Sequence, residues 1–342
     1  MKKTKETIAL LFNVRRINPN LKDPQSHRHA DYDDPEMTKL QIKYLKKLGY
    51  KIIPIEANEK AYLTLYKHRK EIDLALNLSE GVHGKDRECQ LPAMLEMLQI
   101  PYTGSPPLAQ ALMLDKAKAK EVLIANNIPT LQFLLLGKKP YSIPKSFKFP
   151  LIVKPVSEGS SAGVSNQSVV YNDKQLRKRI AFVHRIFHEK ALVEPYLEGR
   201  EFSVAMLGNP PKILPIIESD HRMLPKKYMP FDSFEVKWFY EYETNGEHLV
   251  CPARLSSALK KKIERICLAL WNAIGILDWC RIDIRCDKKE NPYVLEVNSP
   301  PGCTPPEYYT TSYLPLAARA AGIEYDKLLS NLIKTTLKRY SK

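Results

Sequence analysis

The chain has 342 residues, of which 44% are hydrophobic, and 53 Lys and Arg stand against 38 Asp and Glu for a net charge of +15. That length suggests two or three domains, the apolar content excludes a disordered chain, and no apolar run is long enough to span a membrane. The excess of positive charge favours anionic ligands such as nucleotide phosphates or an acidic substrate. Lys and Arg are scattered along the chain without a nucleic-acid motif, so no nucleic-acid partner is expected. The N-terminus is basic, and its first apolar stretch, Ile8–Phe12, is too short for a signal peptide. It reads as a first buried strand, and a cytoplasmic location is expected. The cysteines Cys89, Cys251, Cys267, Cys280, Cys286 and Cys303 form no CxxC pair and read as reduced thiols, most of them in the core.

After the strand Ile8–Phe12, the polar segment Asn13–Asp34 reads as a long loop. Within it His27 and His29 form an HxH read as part of a solvated loop rather than a metal site. Asp33 and Asp34 are cap candidates before Pro35, and Leu40, Tyr44, Leu45 and Leu48 make a helical stripe that Gly49 ends. Strands at Lys51–Ile55 and Ile72–Leu76 complete a β-α-β alternation, which argues for a parallel sheet. Helices are expected at Leu91–Leu98 and Leu108–Asn127. From about Phe147 the texture becomes α+β, with strands at Pro150–Lys154, Ala191–Glu194, Phe202–Leu207 and Ile213–Ile217. A helix Ser256–Ile274 leads to a hairpin of Cys280–Cys286 and Tyr293–Val297, and a helix Ile323–Lys338 closes the chain. Trp271 and Trp279 read as core.

Chemistry concentrates in three segments. In Arg281-Ile282-Asp283-Ile284-Arg285, alternation puts Arg281, Asp283 and Arg285 on one face. In Leu295-Glu296-Val297-Asn298 the same rule joins Glu296 and Asn298. If the strands pair, Asp283, Glu296 and Asn298 converge as oxygen ligands suited to Mg²⁺, with Arg281 placed to stabilise a phosphoryl oxygen. The alternative is an amphipathic hairpin with a solvated charged face. The second segment, Phe149 to Lys154 and on to Glu158-Gly159-Ser160-Ser161-Ala162-Gly163, ends a buried strand on a lysine and follows it with a small-residue loop through which backbone N–H groups can approach phosphate. No Walker A sequence occurs, and alone this loop would read as an ordinary turn. The third runs from Leu192 through Glu194-Pro195-Tyr196-Leu197 to Glu201-Phe202. Its linker backbone could read an adenine edge and a carboxylate could hold ribose hydroxyls, or it could be a hinge with exposed acids.

Taken together these segments resemble the ATP-grasp superfamily, and specifically the D-alanine–D-alanine ligase family. Further matching stretches are Ile100-Pro101-Tyr102-Thr103-Gly104-Ser105, Leu114-Asp115-Lys116, Phe234-Glu235-Val236-Lys237 and Cys251-Pro252-Ala253, in one order from about residue 72 to 340. The resemblance implies an ATP-grasp fold, α/β and α+β: a Rossmann-like substrate domain over 1–105, a central subdomain over 106–205 and a catalytic, metal-binding subdomain over 206–342. It implies that Lys116 and Lys154 bind the α- and β-phosphates, that Ser160 and Ser161 lie in the loop closing over them, and that Glu194 with the backbone of Pro195 and Leu197 reads adenine. Glu201 would hold the ribose, Lys237 on a mobile loop would reach the γ-phosphate, and Asp283, Glu296 and Asn298 would hold two Mg²⁺ ions, with Mn²⁺ as an alternative. Arg281 and the backbone of Gly302 would support an acyl phosphate and the tetrahedral intermediate after it. ATP would be co-substrate and the partners small amino-acid or peptide-like molecules, with a homodimer compatible.

The chain departs from the family where substrates would sit. The strand leads into Asn13-Val14-Arg15-Arg16 instead of a Gly-Gly turn, and the family's anchoring glutamate falls near Tyr32, with Asp31, Asp33, Asp34 and Glu36 as replacements among which the sequence does not choose. Trp238 stands where the family has Tyr, the His-Gly…Gly-Glu-Asp-Gly stretch reads Glu80 to Glu88, and the segment after Gly302 is longer, Pro305 to Ser312. Cys303 lacks an evident base and reads as packing. The expected function is therefore an ATP-dependent carboxylate–amine ligase with substrates other than two D-alanines. The alternatives are true D-alanine–D-alanine synthesis and, in another class, a non-catalytic nucleotide-dependent binding protein.

Overall fold

The computed structural model describes residues 6–137, 141–308 and 312–341. Its first layer is a parallel sheet in the order β2-β1-β3, made of β1 (Thr7–Phe12), β2 (Lys51–Glu56) and β3 (Leu74–Asn77). Ile8 to Leu11 of the central strand are fully buried, as expected of a parallel strand covered on both faces. Pro54 lies in β2, an edge strand, where a missing N–H is tolerated. The helices α1 (Pro35–Lys47), α2 (Ala61–His68) and α3 (Gln90–Met97) accompany this sheet. The start of α1 is built as its sequence predicts: the Asp34 carboxylate accepts from Glu36 N–H at 2.8 Å, with Pro35 in the first turn.

The segment 13–34 is not wholly irregular, since Pro24–His29 forms a 3₁₀ turn capped by Asp23. The solvated setting expected for His27 is not found. Its ring is buried and stacks on Phe234 at 3.5 Å, and Nε2 lies 3.0 Å from Asn20 O. The loop thus packs against a distant segment that no local pattern could reveal.

The single helix expected over Leu108–Asn127 is two, α4 (Pro107–Leu114) and α5 (Lys116–Ala125). Asp115 takes an extended backbone and its carboxylate accepts from the N–H groups of Ala117 and Lys118, both at 3.0 Å. An N-cap of this kind competes with helix continuation, and here it makes Lys116 the first residue of α5.

A four-stranded antiparallel sheet follows in the order β4-β7-β5-β6, from β4 (Leu134–Leu136), β5 (Leu151–Pro155), β6 (Val169–Val170) and β7 (Ala191–Pro195), backed by α6 (Asp173–Phe187). The third sheet runs β11-β10-β8-β12-β13, with β9 beside β8. Its strands are β8 (Glu201–Leu207), β9 (Lys212–Ile213), β10 (Ile217–Ser219), β11 (Leu249–Val250), β12 (Trp279–Cys286) and β13 (Pro292–Asn298). The strand expected at Ile213–Ile217 is split between β9 and β10, because Pro215 between them has no N–H to donate to a ladder. Between β10 and β11 lie a π-turn, Val236–Tyr240, and the short helix α7 (Glu241–Thr244).

The helix α8 (Ser257–Ile274) covers the outer face of the third sheet, with Ser256 as N-cap. Met113 of α4 and Leu123 of α5 share that core with Ile263, Leu270 and Ile282. Sheet membership therefore places β8, and packing places α4 and α5, with the C-terminal unit rather than with the sheet at 134–195. The closing helix is α10 (Tyr325–Tyr340), preceded by a helix not expected from the sequence, α9 (Tyr313–Ala320). The helix α10 packs on the first sheet, Leu328 and Leu332 in one core with Ile8 and Leu10, while α9 packs against α10 and β8.

Asp278 ties these layers together. It is fully buried in a left-handed conformation, and its carboxylate accepts from Gly104 N–H (2.8 Å), Thr336 Oγ1 (2.9 Å), Arg339 Nη2 (2.8 Å) and Asn209 Nδ2 (2.5 Å). Removing one partner of such a network leaves buried donors unsatisfied. Asp278→Ala is expected to cost about 3 kcal/mol, read as a lower urea midpoint at unchanged slope, whereas Asp287→Ala on the exposed hairpin turn should change it little.

Candidate active site

Strand alternation sorts side chains to the cleft between the second and third sheets. In β5, Ile152 and Lys154 share the cleft face with Glu194 and Leu192 of β7, since the register pairs Ile152 with Glu194 and Lys154 with Leu192. Leu151, Val153 and Val193 turn the other way, onto Leu176 and Ile180 of α6. In the third sheet the register sets Ser203 opposite Asp283 and Glu201 opposite Arg285, while Asp283 faces Glu296 and Arg281 faces Asn298 across the hairpin. The three oxygen ligands expected from the sequence therefore share one face.

The hairpin has a bulge that alternation does not predict. Asp283 pairs with Glu296 but Ile284 pairs with Val294, so Leu295 is an extra residue. Val294 consequently points into the core behind the sheet, and Leu295 and Glu296 both line the cleft. Bulges beside active sites re-aim side chains in this way. Asp283 accepts from Ser203 Oγ (2.5 Å), from Arg281 Nε and Nη2 (3.0 and 2.9 Å) and from Asn298 Nδ2 (3.3 Å). Hard oxygen donors such as these fit Mg²⁺. A second group with ligand atoms within 4.8 Å of one another is Glu201, His221 and Asp232. Its oxygens are already engaged: Glu201 by Arg285 at 2.6 Å, and Asp232 by His221, Ser219 and Tyr313 at 2.8, 3.0 and 3.0 Å. It is a hydrogen-bonded network.

Two cavities open into the cleft. The first is lined by Lys154, Ser161, Glu194, Pro195, Leu197, Glu201 and Asp283, with Leu131, Ile152, Val164, Phe231 and Leu295 as apolar walls. The second is lined by Ser160, Arg281, Asn298 and Gly302 together with residues of the N-terminal segment. Lys116, Lys237 and Glu296 line both, so the cavities meet at two ammonium groups and a carboxylate. Every residue singled out from the sequence lines one cavity or the other.

Two of the three charges at this junction, Lys116 and Glu296, are paired with each other. Lys116 lies 3.2 Å from Glu296 and donates to Glu158 O at 2.6 Å. Burial pushes the Glu296 carboxyl up, but Lys116, Lys237 and Lys154 hold it well below the usual carboxylate range. Deeper in, the fully buried Glu194 takes Lys154 on one oxygen and Lys120 on the other, both at 2.7 Å. Its burial is more than offset by those two cations, which keep it ionised. Lys120 is missed by the sequence reading. It is 1% exposed and also donates to Thr130 Oγ1 at 2.9 Å. Its place four residues after Lys116, on the same face of α5, was the available signal.

The small-residue loop is held down from several sides. Ser160 and Ser161 are both left-handed, with φ of 44° and 57°, a conformation costly for residues with a Cβ that persists only when surroundings impose it. Ser161 Oγ donates to Asp232 O at 2.8 Å, and Trp238 Nε1 donates to Ser160 O at 3.0 Å. A Cβ at Gly159 would meet both Asp31 carboxylate oxygens at 2.8 Å. The loop is thus pressed between the π-turn carrying Lys237 and the N-terminal segment. Arg87, from the rewritten Glu80–Glu88 stretch, sits 3.5 Å from Asp31 and 3.6 Å from Glu158.

The second cavity is rich in carboxylates. Asp31, Asp33, Glu80, Glu88 and Glu241 line it, with Arg15 among the few cations not at the junction. The Arg15 guanidinium lies over the Trp238 ring at 5.2 Å. At the far end Gly302, Thr304 and Ser312 meet, Thr304 Oγ1 hydrogen-bonded to Ser312 Oγ at 2.5 Å, where α9 begins. Cys303 behind them is buried, its thiol pushed up to about 12, as expected of packing. Burial, opposed by Arg15, raises Asp33 to about 7, and burial reinforced by Asp232 raises Glu241 to about 8. Burial also lifts Glu88 and Glu158 to about 7 against the pull of Arg87. Groups with raised folded-state values bind more protons folded than unfolded between pH 4.5 and 8, so their contribution to stability falls as pH rises through that window. The ligand-free protein should unfold at lower urea concentration at pH 8 than at pH 6, and Glu241→Gln should flatten the difference.

Comparison with known proteins agrees with this geometry. Residues 127–334 match the family model described as D-ala D-ala ligase C-terminus. An uncharacterized protein, y4sG, of Sinorhizobium fredii is 32% identical over 86% of both chains. A D-alanine–D-alanine ligase A of Bacillus cereus is 33% identical over 87% of this chain and 91% of its own. The crystal structure of a D-alanine–D-alanine ligase from Bacillus anthracis complexed with ATP superposes with a TM-score of 0.71 at 28% identity, covering 98% of both chains. A ligase from Coxiella burnetii, at 21% identity and a TM-score of 0.69, shares the fold. The chain belongs to the D-alanine–D-alanine ligase family, ATP-dependent ligases that form a carbon–nitrogen bond.

Proposed function

We propose that this enzyme joins the carboxylate of one amino-acid-like substrate to the amine of another through an acyl phosphate, with ATP in the first cavity and both acceptor and donor in the second. The observation that carries this reading is the meeting of the two cavities at Lys116, Lys237 and Glu296. A terminal phosphate at that junction touches the substrate cavity, and its base end lies in the apolar slot beside Glu194, Pro195 and Leu197. Lys154 and Lys116 then hold the α- and β-phosphates and Glu201 the ribose. Mg²⁺, two ions in the preferred reading with Mn²⁺ as an alternative, would be held by Asp283, Glu296 and Asn298 and would screen the triphosphate.

Each step follows from charge placement. A donor carboxylate oxygen attacks the γ-phosphorus and ADP leaves, giving an acyl phosphate whose phosphoryl oxygens are met by Lys237 and Arg281. The acceptor amine attacks the acyl carbon, and the backbone N–H of Gly302 and Arg281 stabilise the oxyanion as it forms. The C–O bond to phosphate breaks, and the departing phosphate takes the proton that the nitrogen loses as the amide forms. Ser160 in the closed loop excludes water that would hydrolyse the acyl phosphate.

The substrate pair is proposed to differ from two D-alanines. Asp31, Asp33, Glu80 and Glu88 in the donor end, Trp238 over Ser160, and the Tyr313 ring together make a cavity wall unlike that inferred for the family. The second reading, D-alanine–D-alanine synthesis, is favoured by the names of the relatives from Bacillus and Nitrosococcus. The enzyme acts on small molecules, and among the described residues no helix is long and apolar enough to cross a membrane. A homodimer and a cytoplasmic location remain part of the proposal.

ADP release with a panel of D- and L-amino acids and dipeptides, read with product mass, tests the substrate proposal. A kcat/KM for D-alanine with D-alanine above all other pairs would overturn it in favour of the second reading. Glu296→Gln removes a charge at the junction without changing volume. It should lower turnover to background while thermal unfolding stays cooperative, and full activity in that variant would remove Glu296 from the site.

A further inference from the structure

Two cations at the cavity junction repel each other. Lys237 at the junction and Arg281 beside it are both partly buried, and Arg281 opposes the charge on Lys237. No ion pair with a carboxylate is formed by Lys237 within 4 Å among the described residues, whereas Arg281 has Asp283. What both share is Tyr313. The Lys237 Nζ lies 5.5 Å from the centre of its ring and the Arg281 guanidinium carbon 5.3 Å. An aromatic face attracts a cation within about 6 Å, and more strongly where water is excluded. Tyr313 is 4% exposed.

The ring is itself held in place. Tyr313 opens α9 at the cavity end, and its hydroxyl reaches Asp232 Oδ2 at 3.0 Å and Glu241 Oε1 at 2.8 Å. A phenol has one proton to donate. Glu241, protonated near neutral pH because burial and Asp232 raise it to about 8, supplies the second, so both contacts are satisfied. Asp232 also receives Ser219 and His221, and its backbone oxygen receives Ser161. The ring orientation is thereby tied to the loop over the phosphates.

We infer that Tyr313 is a positioning residue for the ligase reaction, its ring face holding the Lys237 ammonium and the Arg281 guanidinium together at the point where phosphoryl and acyl transfer occur. The carboxylates that could neutralise Lys237 stay on other partners, and Lys237 remains available to an incoming phosphoryl oxygen. This rests on the ligase reading above.

The test replaces Tyr313 with phenylalanine, 4-fluorophenylalanine and 3,4,5-trifluorophenylalanine, which are nearly equal in size while fluorine progressively drains the ring face of negative charge. Two quantities are followed against the Tyr313→Phe protein: ADP release with ATP and the pair that turns over fastest in the panel of amino acids and dipeptides, and the titration of Lys237 by ¹³C-lysine NMR, assigned by its loss in Lys237→Arg. The expected result is a stepwise fall in kcat, about tenfold across the series, with KM for ATP moving less, and a stepwise fall in the pH at which Lys237 loses its proton. A merely space-filling Tyr313 would leave both flat, and a flat Lys237 titration overturns the inference. So does a flat kcat beside a falling titration, because the ring then holds the ammonium without serving the reaction. Failure of the ligase reading shows separately, as absence of ADP release from the unaltered protein with every pair of the panel, and the Lys237 titration still decides the role of the ring.

Discussion

Most of the charges in this cleft are held in ion pairs with one another, and the rest of the site is arranged around that constraint. An isolated ion out of water costs several kcal/mol even after relaxation, yet ATP and an acyl phosphate require buried cations. The protein resolves this with its own carboxylates. Glu296 holds Lys116, Glu194 holds Lys154 and Lys120, and Asp283 holds Arg281. Under the proposed placement of ATP, a phosphate oxygen or a metal ion would take over one partner of each pair. The same pairing explains why Glu194 and Glu296 stay ionised despite burial.

Backbone geometry delivers those groups. The antiparallel register of β12 against β8 and β13 puts Glu201, Ser203, Asp283, Glu296 and Asn298 on one surface, and the bulge at Leu295 keeps the core behind the hairpin apolar while two consecutive residues face the ligand. The Asp115 cap aims Lys116 at Glu296 from the start of a helix whose other face packs on α8. Asp278 fixes the first sheet, α10 and the third sheet relative to one another, so the substrate cavity, whose walls come from residues as far apart as Asp31 and Ser312, has a defined shape.

The carboxylate excess in that cavity distinguishes it from the phosphate side. At the nucleotide end cations and anions alternate, which suits a triphosphate that exchanges partners with them. In the second cavity, Asp31, Asp33, Glu80 and Glu88 outnumber Arg15, and burial pushes the carboxyls of Asp33, Glu80 and Glu88 above the usual range. In the proposed reading, phosphate chemistry and substrate recognition thus rest on different electrostatic solutions within one cleft.

Much of this was legible in the chain itself. Alternation at Arg281–Arg285 and Glu296–Asn298 determined which side chains share a face, because a strand's period is two whatever surrounds it. Local capping determined where α1 and α8 begin, and the ordered motifs from Ile100 to Gly302 determined the family. The N-cap role of Asp115, the break at Pro215 and the bulge at Leu295 were decided locally too, but between alternatives of similar propensity. Only the tertiary structure decided that His27 stacks on Phe234, that Lys120 shares Glu194 with Lys154, and that Tyr313 lies beneath both Lys237 and Arg281. Those contacts join residues 32 to 207 positions apart, and neither distance through space nor exclusion of water has a local signature in sequence.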